Sequence, residues 1–158
     1  MRKRILFICL GNICRSPAAE GVMKAIVKES GLSDEVYVDS AGIGNWHVGE
    51  LPDARMREHG RRRGYDFNSR ARQFSGADFD KFDYIIVMDE QNYRDVCKQA
   101  RSSNDQEKVL RMRDFFVGYK GQETVPDPYY GGPEGFELAL DLIEDGCRGL
   151  AESLLSVE

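Results

Sequence analysis

The apolar run Ile5-Leu6-Phe7-Ile8 ends at Cys9, and within eight more residues the chain has passed through CLGNICRSP (residues 9–17) into a Ser-Pro step and an amphipathic stretch. A short, unbroken apolar run is the pattern of a strand covered on both faces, as in a parallel sheet, rather than of a strand with one wet face. Ser16-Pro17 reads as an N-cap followed by proline at the first helical position, and Ala19, Val22, Met23, Ile26 and Val27 then share one helical face. A buried strand that hands directly to a helix is the opening of a βαβ unit, and the rest of the chain has to supply its partners.

Gly31 stops the first predicted helix, and Val36-Tyr37-Val38 is a second strand ending in Asp39-Ser40-Ala41-Gly42. Residues 43–52 read as a loop, and Asp53 caps a helix predicted over 54–63. Tyr84-Ile85-Ile86-Val87-Met88 is the clearest buried strand; Asp89 caps the helix carrying Tyr93, Val96 and Cys97, and residues 108–112 make a fourth strand. Residues 124–133 hold Pro126, Pro128, Gly131, Gly132 and Pro133 and must be a loop. Phe136, Leu140, Ile143, Cys147, Leu150 and Leu154 recur at helical spacing and close the chain. This order predicts an α/β fold: one domain over residues 1–158, with a doubly wound four-stranded parallel sheet and helices on both faces. Ligands of such sheets sit beyond the carboxyl ends of the strands, where Cys9 to Ser16, Ser40 and Asp89 fall.

The 158 residues suffice for one core burying roughly 70% of the unfolded chain's surface. A net charge of −5 argues against general nucleic-acid binding. Arg2-Lys3-Arg4 before the apolar run has the outline of a secretory leader, but that run is too short and meets Gly11, Asn12 and Arg15 without a small-residue cleavage pattern. No run approaches the ~18 apolar residues of a membrane span, so the expectation is a soluble cytoplasmic protein with no membrane partner. Cys9, Cys14, Cys97 and Cys147 are too scattered for a disulfide scaffold, and neither a CxxC pair nor a cysteine cluster matching His47 and His59 suggests a metal. Cys97 and Cys147 read as packing residues.

Five residues separate Cys9 from Arg15, and the loop they form opens a helix. Its backbone amides and the helix dipole favour an oxyanion. It is not an ATP-type loop, because the chain contains neither Gly-Lys-Ser nor Gly-Lys-Thr. The same field stabilises a thiolate at Cys9, Arg15 offers a planar fork to phosphate oxygens, and Ser16 can donate to the sulfur.

CLGNICRSP, DSAG (39–42), DYIIVMD (83–89) and DPYYG (127–131), in that order, resemble the low-molecular-weight protein tyrosine phosphatases over nearly the whole chain. The resemblance implies the flavodoxin-like fold of that family and hydrolysis of phosphotyrosine on proteins or peptides through a phosphocysteine, with no cofactor or metal. The expected assembly is a monomer or weak dimer. From its setting before proline, Asp127 reads equally as a turn residue; the resemblance makes it the general acid and then the base, with Cys9 the nucleophile and Arg15 the phosphate ligand. Leu10, Gly11, Asn12, Ile13, Cys14 and Ser16 form the phosphate loop, in which Asn12 holds the unusual backbone with Ser40 as partner. Ile13, Trp46, Tyr129 and Tyr130 match positions flanking the aryl pocket. Isoleucine at position 13 favours an aryl ester, where related protein-arginine phosphatases carry threonine.

Ser69 stands where some relatives, notably animal ones, have a histidine supporting the loop. The arginines at 55, 57, 61, 62, 63, 70 and 72 either steer acidic phosphoproteins or make a solvated face, and a solvated face is the simpler reading. Two other classes compete: an arsenate reductase of the same fold, for which Cys97 and Cys147 lack relay spacing, and a phosphate-binding module, which would need neither Cys9 nor Asp127. Cys14 is either a redox partner for Cys9 or a small residue filling the underside of the loop.

Overall fold

The computed structural model describes residues 2–155. Its elements run β1 (Lys3–Cys9), α1 (Arg15–Glu29), β2 (Val36–Gly42), α2 (Ala54–Arg62), α3 (Asp78–Lys81), β3 (Tyr84–Val87), α4 (Glu90–Cys97), α5 (Ser103–Glu107), β4 (Val109–Arg111), a 3-10 turn (Met112–Phe115) and α6 (Pro133–Leu154). The four strands form one sheet in the order β2-β1-β3-β4, and every pairing is parallel. This is the doubly wound, flavodoxin-like arrangement, and its order reverses between β1 and β3.

Alternation along the strands builds a core on each face. Ile5, Phe7 and Cys9 of β1, Val36 and Val38 of β2 and Ile86 of β3 face α1 and α6. Leu6, Ile8, Ala41, Ile85 and Val87 face the opposite layer with Phe79 of α3 and Val96 of α4. Ile5, Leu6, Phe7 and Ile8 are all fully buried, each contributing roughly 1.5–3 kcal/mol of apolar transfer. The unbroken apolar run thus follows from β1 being central and covered twice. No helix among the described residues is long and apolar enough to cross a membrane.

Three expectations from the sequence are corrected. Ser16 does not cap α1: the helix begins at Arg15, its N-cap position is Cys14, and no side chain caps it. The Ser16 hydroxyl is turned instead toward Cys9 and Asn12. Ser40 lies inside β2 rather than beyond its end, because pairing with β1 continues to Cys9 opposite Gly42. The fourth strand is also shorter than predicted, since Met112 already belongs to the 3-10 turn. By contrast, Asp53 and Asp89 cap as expected, accepting from Arg55 N at 2.8 Å and Asn92 N at 2.8 Å.

Candidate active site

The loop after β1 leaves the sheet at the switch point between β1 and β3, and three of its carbonyls are tied down from outside. Cys9 O, Leu10 O and Ile13 O accept from the N–H groups of Ile43, Gly44 and Asp53 at 3.0, 2.9 and 2.7 Å. The N–H groups of residues 10–14 donate to no protein acceptor among the described residues. Backbone donors are rarely left without a partner, so a row of five is a set of donors arranged for an anion. Asn12 makes the turn possible at a left-handed φ of 59°, and Gly42 lets the loop press on β2. A Cβ on Gly42 would stand 3.0 Å from Asn12 N and Gly11 C.

A chain of buried polar groups runs behind the Cys9 sulfur. Asn12 Oδ1 accepts from the Arg72 backbone N–H at 3.0 Å, an obligate donor, which fixes the amide so that Nδ2 faces the two serines. Nδ2 donates to Ser16 Oγ at 2.8 Å and to Ser40 Oγ at 3.0 Å. Ser40 passes its own hydrogen to Glu20 Oε1 at 2.6 Å. The Ser16 hydrogen is then left for Cys9 Sγ at 3.0 Å, with Ala41 O more distant at 3.5 Å. Ser40 is thus spent on Glu20, and the Ser16 hydroxyl is the member of this chain placed to stabilise charge on Cys9. Ser69 takes no part in holding Asn12; the Arg72 main chain does so.

Arg15 is 2% exposed and donates from Nη1 to Asp89 Oδ2 at 2.8 Å and to Val125 O at 2.9 Å. Burial works against its charge, but Cys9, Asp89 and Asp127 outweigh that, so its pKa lies above the ordinary value. Its buried Nε has no partner among the described residues. An unmet donor of this kind costs roughly 1–3 kcal/mol, recoverable when an oxyanion arrives. Val125 N also donates to Met88 O at 3.0 Å, so the end of β3 grips both the arginine and the loop that carries Asp127.

Cys9, Arg15, Asp127 and the wall residues Ile13, Trp46, Tyr129 and Tyr130 line one cleft of about 430 Å³, together with Leu10, Gly11, Cys14 and His47. Asp127 Oδ2 is 3.6 Å from Arg15 Nη2, and its Oδ1 accepts from Tyr129 N at 3.1 Å. The Tyr129 and Tyr130 rings meet edge to face with centroids 4.9 Å apart. Trp46 and Tyr130 are 65% and 90% exposed, so they form a rim for a planar group to cover. Burial first, then the carboxylate of Asp53 and the Cys9 charge, push the Cys14 thiol well above its ordinary range. Of the two cysteines in the cleft, Cys9 thus has the Ser16 hydroxyl at its sulfur, and Cys14 is kept protonated.

The sequence profile of the low molecular weight phosphotyrosine protein phosphatases matches residues 4–157. The chain belongs to that family. It is a protein tyrosine phosphatase by that membership. The phosphatase is 48% identical over 151 residues, 96% of both chains, to a Synechocystis protein that carries the name low molecular weight protein-tyrosine-phosphatase provisionally. Among solved structures, a protein tyrosine phosphatase from Entamoeba histolytica, with Hepes in its active site, superposes with a TM-score of 0.93 at 42% identity, covering 98% of this chain and 97% of that one. A Drosophila arginine phosphatase superposes with a TM-score of 0.87 at 35% identity, covering 96% of each chain.

Every site residue expected from the sequence of the phosphatase lies in the cleft or in the chain of bonds behind it. Sequence reasoning missed four contributors: Glu20 as acceptor for Ser40, the Arg72 main chain, the Asp89 to Arg15 ion pair, and His47 in the cleft wall. Two left a signal: Asp89, by its place beyond the carboxyl end of β3, and Glu20. Glu20 lies one turn after Ser16 on a helix face otherwise made of Ala19, Val22 and Met23, where a carboxylate is out of place unless it has a partner.

Proposed function

We propose that this phosphatase hydrolyses phosphotyrosine on proteins or peptides in two steps through a phosphocysteine. The Cys9 thiolate attacks phosphorus, the S–P bond forms as the P–O bond to the tyrosyl oxygen breaks, and Asp127 delivers its proton to that oxygen. Water then attacks phosphorus, Asp127 takes a proton from it, and the S–P bond breaks to return the thiolate and release inorganic phosphate. Arg15 and the amides of residues 10–14 follow the charge on the phosphoryl oxygens in both steps. Ser16 stabilises the leaving sulfur in the second. The observation that carries this reading is the chain Glu20–Ser40–Asn12–Ser16–Cys9, which aims its last donor at the sulfur.

The aryl preference rests on Ile13, whose apolar side chain offers no hydrogen-bond partner to the N–H groups of a guanidinium; Trp46, Tyr129 and Tyr130 supply ring faces and edges for a planar group. An arsenate reductase would need, besides Cys14 in the loop, further thiols placed to relay a disulfide away from the nucleophile, whereas Cys147 packs against Ala19 O in the α1–α6 core and Cys97 lies on α4. Cys14 lines the same cleft as Cys9, which supports a redox role in which peroxide oxidises Cys9 to a sulfenic acid with loss of water, and Cys14 Sγ then displaces the sulfenic hydroxyl as a second water to close a disulfide within the loop. We place the enzyme in the cytoplasm, where thiols stay reduced.

The decisive assay compares matched phosphotyrosine, phosphoserine and phosphoarginine peptides. Cys9→Ser is expected to abolish turnover while retaining phosphate binding, and Asp127→Ala to slow the first step by about 10²–10⁴-fold, most for poor leaving groups. Preferential turnover of phosphoserine, or normal turnover by Cys9→Ser, refutes the assignment.

A further inference from the structure

The arginines between positions 55 and 72 divide into two sets. Arg55 pairs with Asp53; Arg61 and Arg62 pair with Glu58; Arg63 pairs with Glu137, Asp141 and Glu144 on α6; and Arg72 pairs with Asp39 and Asp78. Arg57 and Arg70 have no carboxylate partner among the described residues. Each is instead steadied by one main-chain carbonyl: Arg57 Nε donates to Pro52 O at 2.9 Å and Arg70 Nη1 to Gly49 O at 3.2 Å. The remaining guanidinium donors of both have no acceptor among the described residues.

These two guanidiniums line one groove of about 550 Å³, which shares Ile13, His47 and Tyr129 with the catalytic cleft. The groove is rigidly joined to the phosphate loop, because Asp53 N donates to Ile13 O at 2.7 Å and Gly49 N donates to Ala71 O at 2.8 Å. Glu50 and Asp53 also border it, but Glu50 Oε2 faces His47 Nδ1 at 3.1 Å and Asp53 is held by Arg55. With Asp53 paired, the groove sets two guanidiniums against the single carboxylate of Glu50, so its balance is positive, and it lies next to the point where a phosphotyrosine ring would leave the cleft.

We propose that this groove is a docking subsite for an acidic residue flanking the phosphotyrosine, with Arg57 and Arg70 as its specificity determinants. The proposal rests on the phosphotyrosine reading above. A flanking residue is displaced by roughly 3.4 Å per position in an extended peptide, so neighbours within about three positions of the phosphotyrosine are the ones in reach. Arg57 and Arg70 touch none of the reacting atoms. They act on recognition of the peptide, not on the chemistry.

The test uses phosphotyrosine peptides of one sequence carrying Glu or Gln at each of the three positions on either side. For at least one position the wild-type kcat/KM is expected to favour Glu by about three- to tenfold at low salt, and less at high salt. The double variant Arg57→Gln with Arg70→Gln should bring that ratio to about one, and Arg57→Glu with Arg70→Glu should invert it. Turnover of p-nitrophenyl phosphate, which has no flanking residues, checks that each variant remains folded and active. Because the readout is a ratio within each variant, a general loss of activity does not mimic the result. A Glu/Gln ratio that is the same in wild type and both double variants overturns the subsite alone. Absence of any wild-type turnover of phosphotyrosine peptides overturns the phosphatase reading and the subsite with it.

Discussion

Asn12 is the residue whose replacement tests the site most severely, because it carries both a strained backbone and three hydrogen bonds. At φ 59° an alanine would pay about 1–2 kcal/mol for a left-handed conformation. Losing the bonds to Ser16, Ser40 and the Arg72 N–H removes about 1 kcal/mol each and leaves the Arg72 donor unmet. Asn12→Ala should therefore destabilise by about 4–5 kcal/mol, a large share of the roughly 5–15 kcal/mol total expected for a domain. Asn12→Gly tolerates the backbone but loses the same three bonds, so it should be the milder variant by about 1 kcal/mol. Urea titration of the three proteins gives both numbers from the transition midpoints, and competitive inhibition by inorganic phosphate reports the cradle. Inhibition should weaken in both variants, since the loop amides keep their positions only while Asn12 is held. An Asn12→Ala protein within 1 kcal/mol of wild type, or one no less stable than Asn12→Gly, would refute this account of the loop.

Two further perturbations test the frame around the site. A Cβ on Gly149 would stand 1.8 Å from the Phe115 carbonyl oxygen, so Gly149→Ala must part α6 from the 3-10 turn. It should lower stability by about 3 kcal/mol and the melting temperature by roughly 6–12 °C, and an unchanged melting temperature would contradict that contact. Glu137 on α6 bonds Arg63, at 2.8 Å, and His59; Arg63 foremost and then His59 hold its carboxyl below the ordinary value. A depressed folded-state pKa stabilises above the unfolded value of ~4.3, and the contribution is lost as pH falls through the folded one. Glu137→Gln should thus melt slightly below wild type near neutral pH, by less than about 1 kcal/mol at this half-exposed site, and the gap should close in acid. A gap that widens on acidification would reverse the sign.

The strands and long helices were legible because burial on both faces writes an unbroken apolar run, as at residues 5–8 and 84–88, while burial of one helix face writes a 3.6-residue period, as in α6. Helices α3 and α5 span only four and five residues and are too short to show a period. Ser16 misled for a different reason: its sequence setting describes a cap, and only the tertiary structure reveals that the hydroxyl is spent on Cys9. Asp89 does both jobs at once, capping α4 through Oδ1 and binding Arg15 through Oδ2. No local pattern distinguishes a carboxylate with one partner from one with two. Glu20, 20 residues from Ser40, and Arg72, 60 residues from Asn12, reach the site through pairings that only the sheet topology brings about.

The two halves of the cleft are held very differently, and this bears on how the fold can change substrate. Cys9, Asn12 and Arg15 are fixed by buried bonds from β2, α1, the end of β3 and the segment around Arg72. Among the described residues, Asp127 is secured by the Tyr129 N–H and a 3.6 Å approach to Arg15 alone. Its loop is anchored two residues earlier at Val125 and again where Arg55 Nη2 donates to Tyr129 O at 3.0 Å. Any change in the phosphate cradle breaks bonds shared by several elements, so phosphate chemistry is costly to alter. Changes at Ile13, Trp46, Tyr129 or Tyr130 touch few such bonds, and those at Arg57 or Arg70 touch one carbonyl each. On the proposed reading of the cleft, Trp46 and Tyr130 meet the group attached to the phosphate from outside the core, whereas Ile13 belongs to it, so a relative acting on another phosphorylated group can change the rim without disturbing the scaffold.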